Sequence, residues 1–313
     1  MDWLLYIPVL LLIKCLQALP LRVVARIGRA GGAVAYWLDP RHRRVALRNL
    51  EMCLGGEFTK EQLRSIAKEN FRRLGENYAS AVKTAAMTWD QLKLHLEFAG
   101  IEKIYPTKTD PAGTRRVVAI GHFGNFELYG RFGDYLPGVK GATTYRALRQ
   151  PGLNRLMQAM REQANCLFFE RRTQAEELRA AMNSPGIMLG LLVDQHANTG
   201  GVIVPFFGKE CSTSASAAVF ALRYDCPLHT GICYRTGLAR WRVEGGDEIP
   251  TRVNGQARSI EDITRDVNRA FEAAVRRDPA NWFWVHNRWK TPKKSSRAGR
   301  AKTAVPQPAQ QVR

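Results

Sequence analysis

The chain has 313 residues, 45% of them hydrophobic, which is enough for one large α/β domain or two modest ones and too apolar for a disordered protein. Lysine and arginine number 47 against 28 acidic residues, a formal charge of +19, which points to an anionic partner: nucleic acid, an anionic membrane surface or an acidic carrier protein. Six cysteines, at positions 15, 53, 166, 211, 226 and 233, show no paired CxxC spacing, so the sequence signals neither a zinc site nor a disulfide framework.

Residues 3–19 are nearly all apolar, interrupted by Pro8, Lys14 and Gln17. No basic residue precedes the run and no small-x-small cleavage site follows it, which argues against a signal peptide. Two readings remain, a spanning helix at the lower length limit and an anchor lying in the plane of the membrane. If the run spans, Arg22, Arg26 and Arg29 behind it place the rest of the chain in the cytoplasm. A second basic group near the end includes Arg288, Lys290, Lys293 and Lys294. Both groups adjoin apolar or aromatic sequence, which favours a membrane surface over a nucleic-acid groove.

Residues 23–37 read as a Gly/Ala-rich helix and 41–53 as another. Thr59 caps a third, whose apolar stripe Leu63, Ile66, Ala67, Phe71, Leu74, Tyr78, Ala81 and Val82 follows the helical period. From about Leu96 the pattern alternates. Strands are expected at 117–120, 166–169, 187–193, 202–207 and 229–234, with helices at 126–135, 153–163, 174–182 and 214–224. A last helix starts at Ser259 and ends at Asp278-Pro279. The expected class is α/β, a mixed and mainly parallel sheet flanked by helices, with an N-terminal membrane-anchoring helix and a helical layer. The expected organisation is an anchor at 1–20, a helical layer at 21–95, an α/β core at 96–294 and a disordered basic tail at 295–313.

The segment Gly121-His122-Phe123-Gly124-Asn125-Phe126-Glu127 follows the apolar run Val117-Val118-Ala119-Ile120. A buried strand ending in a histidine-bearing turn is a common way to hold a base at the mouth of a pocket. His122 and Glu127 can meet only if His122 lies in the turn and Glu127 in the first helical turns, a bend that Gly121, Gly124 and Asn125 permit. A structural histidine in a polar turn is the competing reading. On sequence grounds alone any single arginine here reads as a surface residue or a structural ion pair, and Asp194 could merely cap a turn. His286 among tryptophans reads as packed or interfacial, and Trp282, Trp284 and Trp289 as an interfacial belt or as core. His42, His95, His196 and His229 have no partner at telling spacing.

His122-x4-Glu127 resembles the H-x4-D/E motif of the glycerolipid and lipid A acyltransferases. Thr144-Tyr145-Arg146, Asn154-Arg155-Leu156, Arg161, Leu192-Val193-Asp194-Gln195, the run from Val202 to Gly208 and Trp282-Phe283-Trp284 resemble that family's successive blocks. The likeness runs in order over nearly the whole chain and is close to the bacterial lipid A biosynthesis acyltransferases. It implies transfer of a fatty acyl chain from an acyl thioester, with acyl carrier protein or acyl-CoA as donor, to a hydroxyl of a membrane glycolipid.

In that reading His122 takes the proton of the acceptor hydroxyl and Glu127 orients and charge-balances the imidazole. Arg146, Arg161 and Arg149 are candidates for the oxyanion or an acceptor phosphate. Asn125, Asp194 and Gln195 complete the candidate substrate-binding set, the last two ending a predicted strand, where open α/β sheets place their sites. No acyl-enzyme, metal or cofactor is implied. The implied location is the cytoplasmic face of the bacterial inner membrane, against an anionic lipid surface and with no nucleic-acid partner. A lysophospholipid, aminolipid or mannosylated lipid is the alternative acceptor, and a noncatalytic binder of anionic lipid or nucleic acid is the alternative of another class. Neither a P-loop nor a strand-flanked GxGxxG is present.

Overall fold

The computed structural model describes residues 3–105, 114–136, 138–162 and 164–290. The expected tail at 295–313 lies outside the described residues. Helix α1 (Trp3–Ala18) is followed by α2 (Leu21–Leu38), α3 (Pro40–Leu54) and α4 (Lys60–Thr84). Thr59 opens α4 with a reciprocal capping box: its hydroxyl accepts from the N–H of Gln62, and its own N–H donates to the Gln62 side chain. Gly28 and Gly32 of α2 face Gly75 of α4 so closely that a Cβ on Gly28 would sit 2.4 Å from the Gly75 carbonyl oxygen. Missing side chains therefore let the two helix backbones touch.

The chain then forms α5 (Trp89–Leu92), β1 (Leu96–Ala99), α6 (Ile101–Ile104) and β2 (Arg116–Ile120). A 3₁₀ helix (Phe126–Arg131) leads into α7 (Phe132–Tyr135), β3 (Lys140–Tyr145), α8 (Pro151–Arg161), β4 (Cys166–Glu170), α9 (Ala175–Met182) and β5 (Ile187–Leu192). The hairpin of β6 (Gly201–Phe206) and β7 (Lys209–Ser214) precedes α10 (Ser216–Tyr224), β8 (Leu228–Gly237) and β9 (Arg240–Gly245). A short hairpin, β10 (Arg252–Val253) with β11 (Gln256–Ala257), leads to α11 (Ile260–Arg277), whose first turn is capped by the Ser259 hydroxyl.

Seven strands form one sheet in the order β1-β9-β8-β2-β5-β3-β4. Every neighbouring pair is parallel except β8 with β9, so the sheet is mixed and mainly parallel as expected. All five residues of β2 are buried, because the strand is covered on both faces. Val117 and Ala119 join the large core shared with α3, α4, α10 and α11, whereas Val118 and Ile120 join a second cluster with Ile104, Phe132 and Met188.

Several expectations change. The strand at 202–207 lies outside the main sheet, paired with β7 alone. The single helix expected at 126–135 is a 3₁₀ turn followed by one turn of α-helix, and β1, β3, β7, β9, β10 and β11 are additional. Among the described residues no helix is long and apolar enough to cross a membrane. Of the two readings open for the tryptophans, core packing holds for Trp282 and Trp284, which are fully buried. Arg288 is also fully buried, with its guanidinium donating to the Ser212 carbonyl and to Thr213 Oγ1.

The helical layer and the sheet are joined by buried polar contacts. Glu76 is fully buried and accepts from Arg29, from Arg235 of β8 and from the N–H of Ala239. Asn49 donates to the carbonyls of Trp284 and His286, and Asn70 to those of Ala280 and Trp282. The outer side of the layer exposes Ile7, Leu11, Leu12, Val23, Ile27, Val34, Trp37 and Leu38 beside the exposed Arg22 and Arg26.

Candidate active site

Strands β2 and β5 are parallel neighbours, so the turns leaving their C-terminal ends lie side by side. The first turn carries His122 and the second Asp194. Asp194 Oδ1 accepts from His122 Nδ1 at 2.8 Å, and Oδ2 accepts from the His122 backbone N–H at 2.8 Å and from Trp282 Nε1 at 2.9 Å. The Asp194 side chain is fully buried. Burial alone would raise its pKa, but the His122 ring, the two His122 N–H groups and the Trp282 indole outweigh that and hold the carboxyl below its usual value. A carboxylate on Nδ1 fixes the tautomer, so the Nε2 lone pair is the one presented to a ligand. Gln195 Nε2 lies 3.3 Å from His122 Nε2.

The turn itself is shaped for this contact. Gly124 has φ +51°, a left-handed conformation, and a Cβ there would sit 2.5 Å from the Cys233 carbonyl oxygen. The His122 ring meets Phe126 edge-on at 4.8 Å and Phe283 at 5.6 Å. His286, from the same C-terminal segment as Trp282, accepts the backbone N–H of His196 at Nε2, 3.1 Å away. Burial, reinforced by Arg288, His122 and Lys290 against the pull of Asp194, lowers the His286 pKa to about 4, so this ring stays neutral at physiological pH.

Glu127 does not take the place expected for it on the imidazole. The 3₁₀ turn directs it to α8, where Arg161 Nη2 donates to Oε1 at 3.0 Å and Nε to Oε2 at 3.3 Å. The Arg161 guanidinium also lies over the rings of Tyr145 and Phe168. Arg146 and Arg149 are exposed in the loop after β3, and among the described residues neither forms a hydrogen bond or an ion pair. Asn125 is buried, and its Nδ2 has no partner among the described residues.

Two apolar chambers meet at this point. One, of about 820 Å³ counted to its open mouth, lies over the sheet and is lined by Ile104, Ile120, Phe132, Met188, Gly190 and Gly231 among others. The other, of about 970 Å³ on the same measure, lies between α4 and α8. Phe126, Glu127, Arg161 and Phe168 border both. Cys166 lines the first chamber, but burial pushes its thiol up to about 12, which leaves almost no thiolate for nucleophilic attack. Among the described residues no group of three His, Cys, Asp or Glu side chains could hold a metal ion.

The sequence singled out both His122 and Asp194 but not their contact, and it missed Trp282 and His286 as neighbours of the pair. Residues 1–291 match the sequence model of the family described as bacterial lipid A biosynthesis acyltransferase. The chain is 24% identical over 283 residues to the lipid A biosynthesis palmitoleoyltransferase of Escherichia coli (strain K12), covering 87% of each chain. It is 23% identical over 283 residues to the lipid A biosynthesis lauroyltransferase of the same organism, again covering 87% of each. A lipid A biosynthesis acyltransferase of Shigella flexneri is 24% identical over the same length.

Proposed function

The chain belongs to the bacterial lipid A biosynthesis acyltransferase family, and on that premise we propose that it moves a fatty acyl chain from an acyl carrier protein thioester to a hydroxyl of a lipid A precursor. The observation that carries this reading is the His122 imidazole, held through Nδ1 by a buried carboxylate and placed against Phe126, where two apolar chambers meet.

Nε2 of His122 takes the proton of the acceptor hydroxyl as its oxygen attacks the thioester carbonyl carbon. Asp194 stabilises the imidazolium that forms. The tetrahedral intermediate then collapses: the C–S bond breaks, and the imidazolium returns its proton to the departing thiolate. No covalent enzyme intermediate is required. The chamber over the sheet accepts the donor acyl chain, since its walls are apolar. Arg161, fixed by Glu127 in the wall of that chamber, supplies positive charge beside the reacting carbonyl. Arg146 and Arg149, uncommitted to other side chains, suit the phosphates of the acceptor.

The exposed apolar and basic faces of α1 and α2 suit attachment to the surface of an anionic bilayer, on the cytoplasmic side of the inner membrane where the donor is available. The deciding experiment is acyl transfer from labelled acyl carrier protein to a tetraacylated lipid A precursor, with wild type and His122→Ala. Transfer by wild type, reduced about 10²–10⁴-fold in the variant, is expected for a general base. Equal transfer by both would remove His122 from the role.

A further inference from the structure

The chamber between α4 and α8 has no part in the reaction as described above. We propose that it receives an acyl chain already carried by the acceptor lipid, so that donor and acceptor chains lie on opposite sides of the Glu127–Arg161 pair. The inference rests on the reading that the acceptor is an acylated glycolipid.

Three observations support it. First, the walls are apolar and adaptable: Tyr78, Ala81 and Val82 of α4, with Ala85 just after it, line the chamber together with Met157 and Met160 of α8. Secondly, both helices pack against α1, whose outer side exposes Ile7, Leu11 and Leu12. Gln17 and Lys83 exchange side-chain bonds with backbone carbonyls across α1 and α4, and Tyr6 of α1 lies against Gly152 of α8. The chamber therefore lies between two helices that both pack on the one carrying these exposed apolar residues. Thirdly, Asn125 lines the chamber, is only 1% exposed, and has a side-chain N–H₂ with no partner among the described residues.

A buried amide donor left unsatisfied is costly, and an ester or amide carbonyl at the head of an acyl chain would satisfy it. Such a carbonyl would stand in the chamber beside Phe126, whose ring touches the imidazole. The acceptor's polar head would then be delivered to the base by the seating of its own chain.

The test fills the chamber from α4 and its C-terminal end, with Ala81→Phe and, separately, Ala85→Leu. Each full-length variant is assayed with decanoyl to palmitoyl thioesters of acyl carrier protein, on the tetraacyl precursor and on its O-deacylated form. The expected result is a rise of roughly tenfold in KM for the tetraacyl acceptor, the loss of two or so buried methylenes. The donor chain-length profile stays where it is in wild type, and the preference for the tetraacyl over the O-deacylated acceptor shrinks. A shift in the donor profile instead would assign the chamber to the donor and overturn the proposal. An unchanged KM in either variant, with a wild-type unfolding midpoint, would also overturn it. Absence of transfer by wild type on both acceptors would defeat the acyl-transfer reading itself, a different outcome from a wild type that transfers equally well to both.

Discussion

The carboxylate of Asp194 receives both the ring N–H and the backbone N–H of His122, each at 2.8 Å, across 72 residues of sequence. One side chain thus fixes the position of the histidine's main chain and the tautomer of its ring. The Trp282 indole fills a further acceptor site on the same carboxylate. Asp194 therefore remains an anion in a buried setting because every group around it favours the charge.

Asp194→Asn is expected to keep the shape of this contact and lose its charge and tautomer control. Turnover should fall by about 10²–10⁴-fold, as for loss of a base's orienting partner. The check is kcat for acyl transfer beside a near-ultraviolet circular dichroism spectrum. Wild-type kcat in a folded variant would mean that His122 does not depend on the carboxylate.

Glu127 and Arg161 are expected to behave as one unit. Their side chains are 29% and 17% exposed, so the pair is shielded enough for its partners to be energetically coupled. A double-mutant cycle of Glu127→Gln and Arg161→Gln on kcat/KM should show a coupling of about 1 kcal/mol or more. Additive losses would place Glu127 on some other partner during the reaction.

Chain-length preference should follow the chamber over the sheet. A Cβ on Gly190 would lie 3.3 Å from Ile120 Cδ1, so Gly190→Val narrows the floor. The preferred donor should become shorter, with discrimination of roughly fourfold per methylene excluded. Competition between donor thioesters, resolved by mass spectrometry of the lipid product, reads the shift. An unaltered product distribution would mean that the donor chain lies elsewhere.

Acid should weaken the fold partly through His286. Its folded pKa, about 4, lies below the 6.5 of an ordinary imidazole, so the unfolded chain binds the extra proton between those values. Its contribution is absent above about pH 6.5, and stability is lost as the pH falls from there towards 4. The ring is partly open to solvent, so the loss is on the order of 1 kcal/mol. His286→Gln keeps an acceptor for the His196 N–H and should flatten the pH dependence of the urea unfolding free energy in that window. An identical slope in variant and wild type would assign the acid sensitivity to other groups.

Membrane contact is expected to depend on Ile27, Trp37 and Leu38, which are exposed on α2. Replacing all three with serine should reduce co-sedimentation with anionic vesicles by roughly tenfold or more, given the apolar area withdrawn from the bilayer. The residual binding should weaken further with salt. Retention equal to wild type would move the contact to another face.

The parts of the fold that announced themselves in sequence are those whose signals are local. Val117-Val118-Ala119-Ile120 is apolar throughout because β2 is covered on both sides, and the Thr59 and Ser259 caps need only their own next three residues. Strand β3 was hidden because Gly141, Thr143 and Thr144 line a chamber instead of filling it, which removes the apolar signature of a central strand. The same distinction governs the site. His122 and Glu127 are near in sequence, so spacing suggested their pairing, but the 3₁₀ turn sends Glu127 to Arg161. The true partner on Nδ1 comes from another strand, and only strand order could have put it there. The tryptophans near residue 284 stayed open between interface and core because the sequence does not show that Asn49 and Asn70 bind the carbonyls around them.

Those two asparagines have a consequence for how this architecture can be recombined. Asn49 and Asn70 grip the segment that carries Trp282, and Trp282 in turn grips the Asp194 carboxylate. Helices near one end of the chain and the loop near the other therefore act as a single splint around the His122–Asp194 pair. A chimera that exchanges α3 and α4 between relatives while leaving residues 280–286 behind would inherit a mismatched splint. Crossover points that move both pieces together should yield working hybrids more often than any cut placed at the apparent boundary near residue 95.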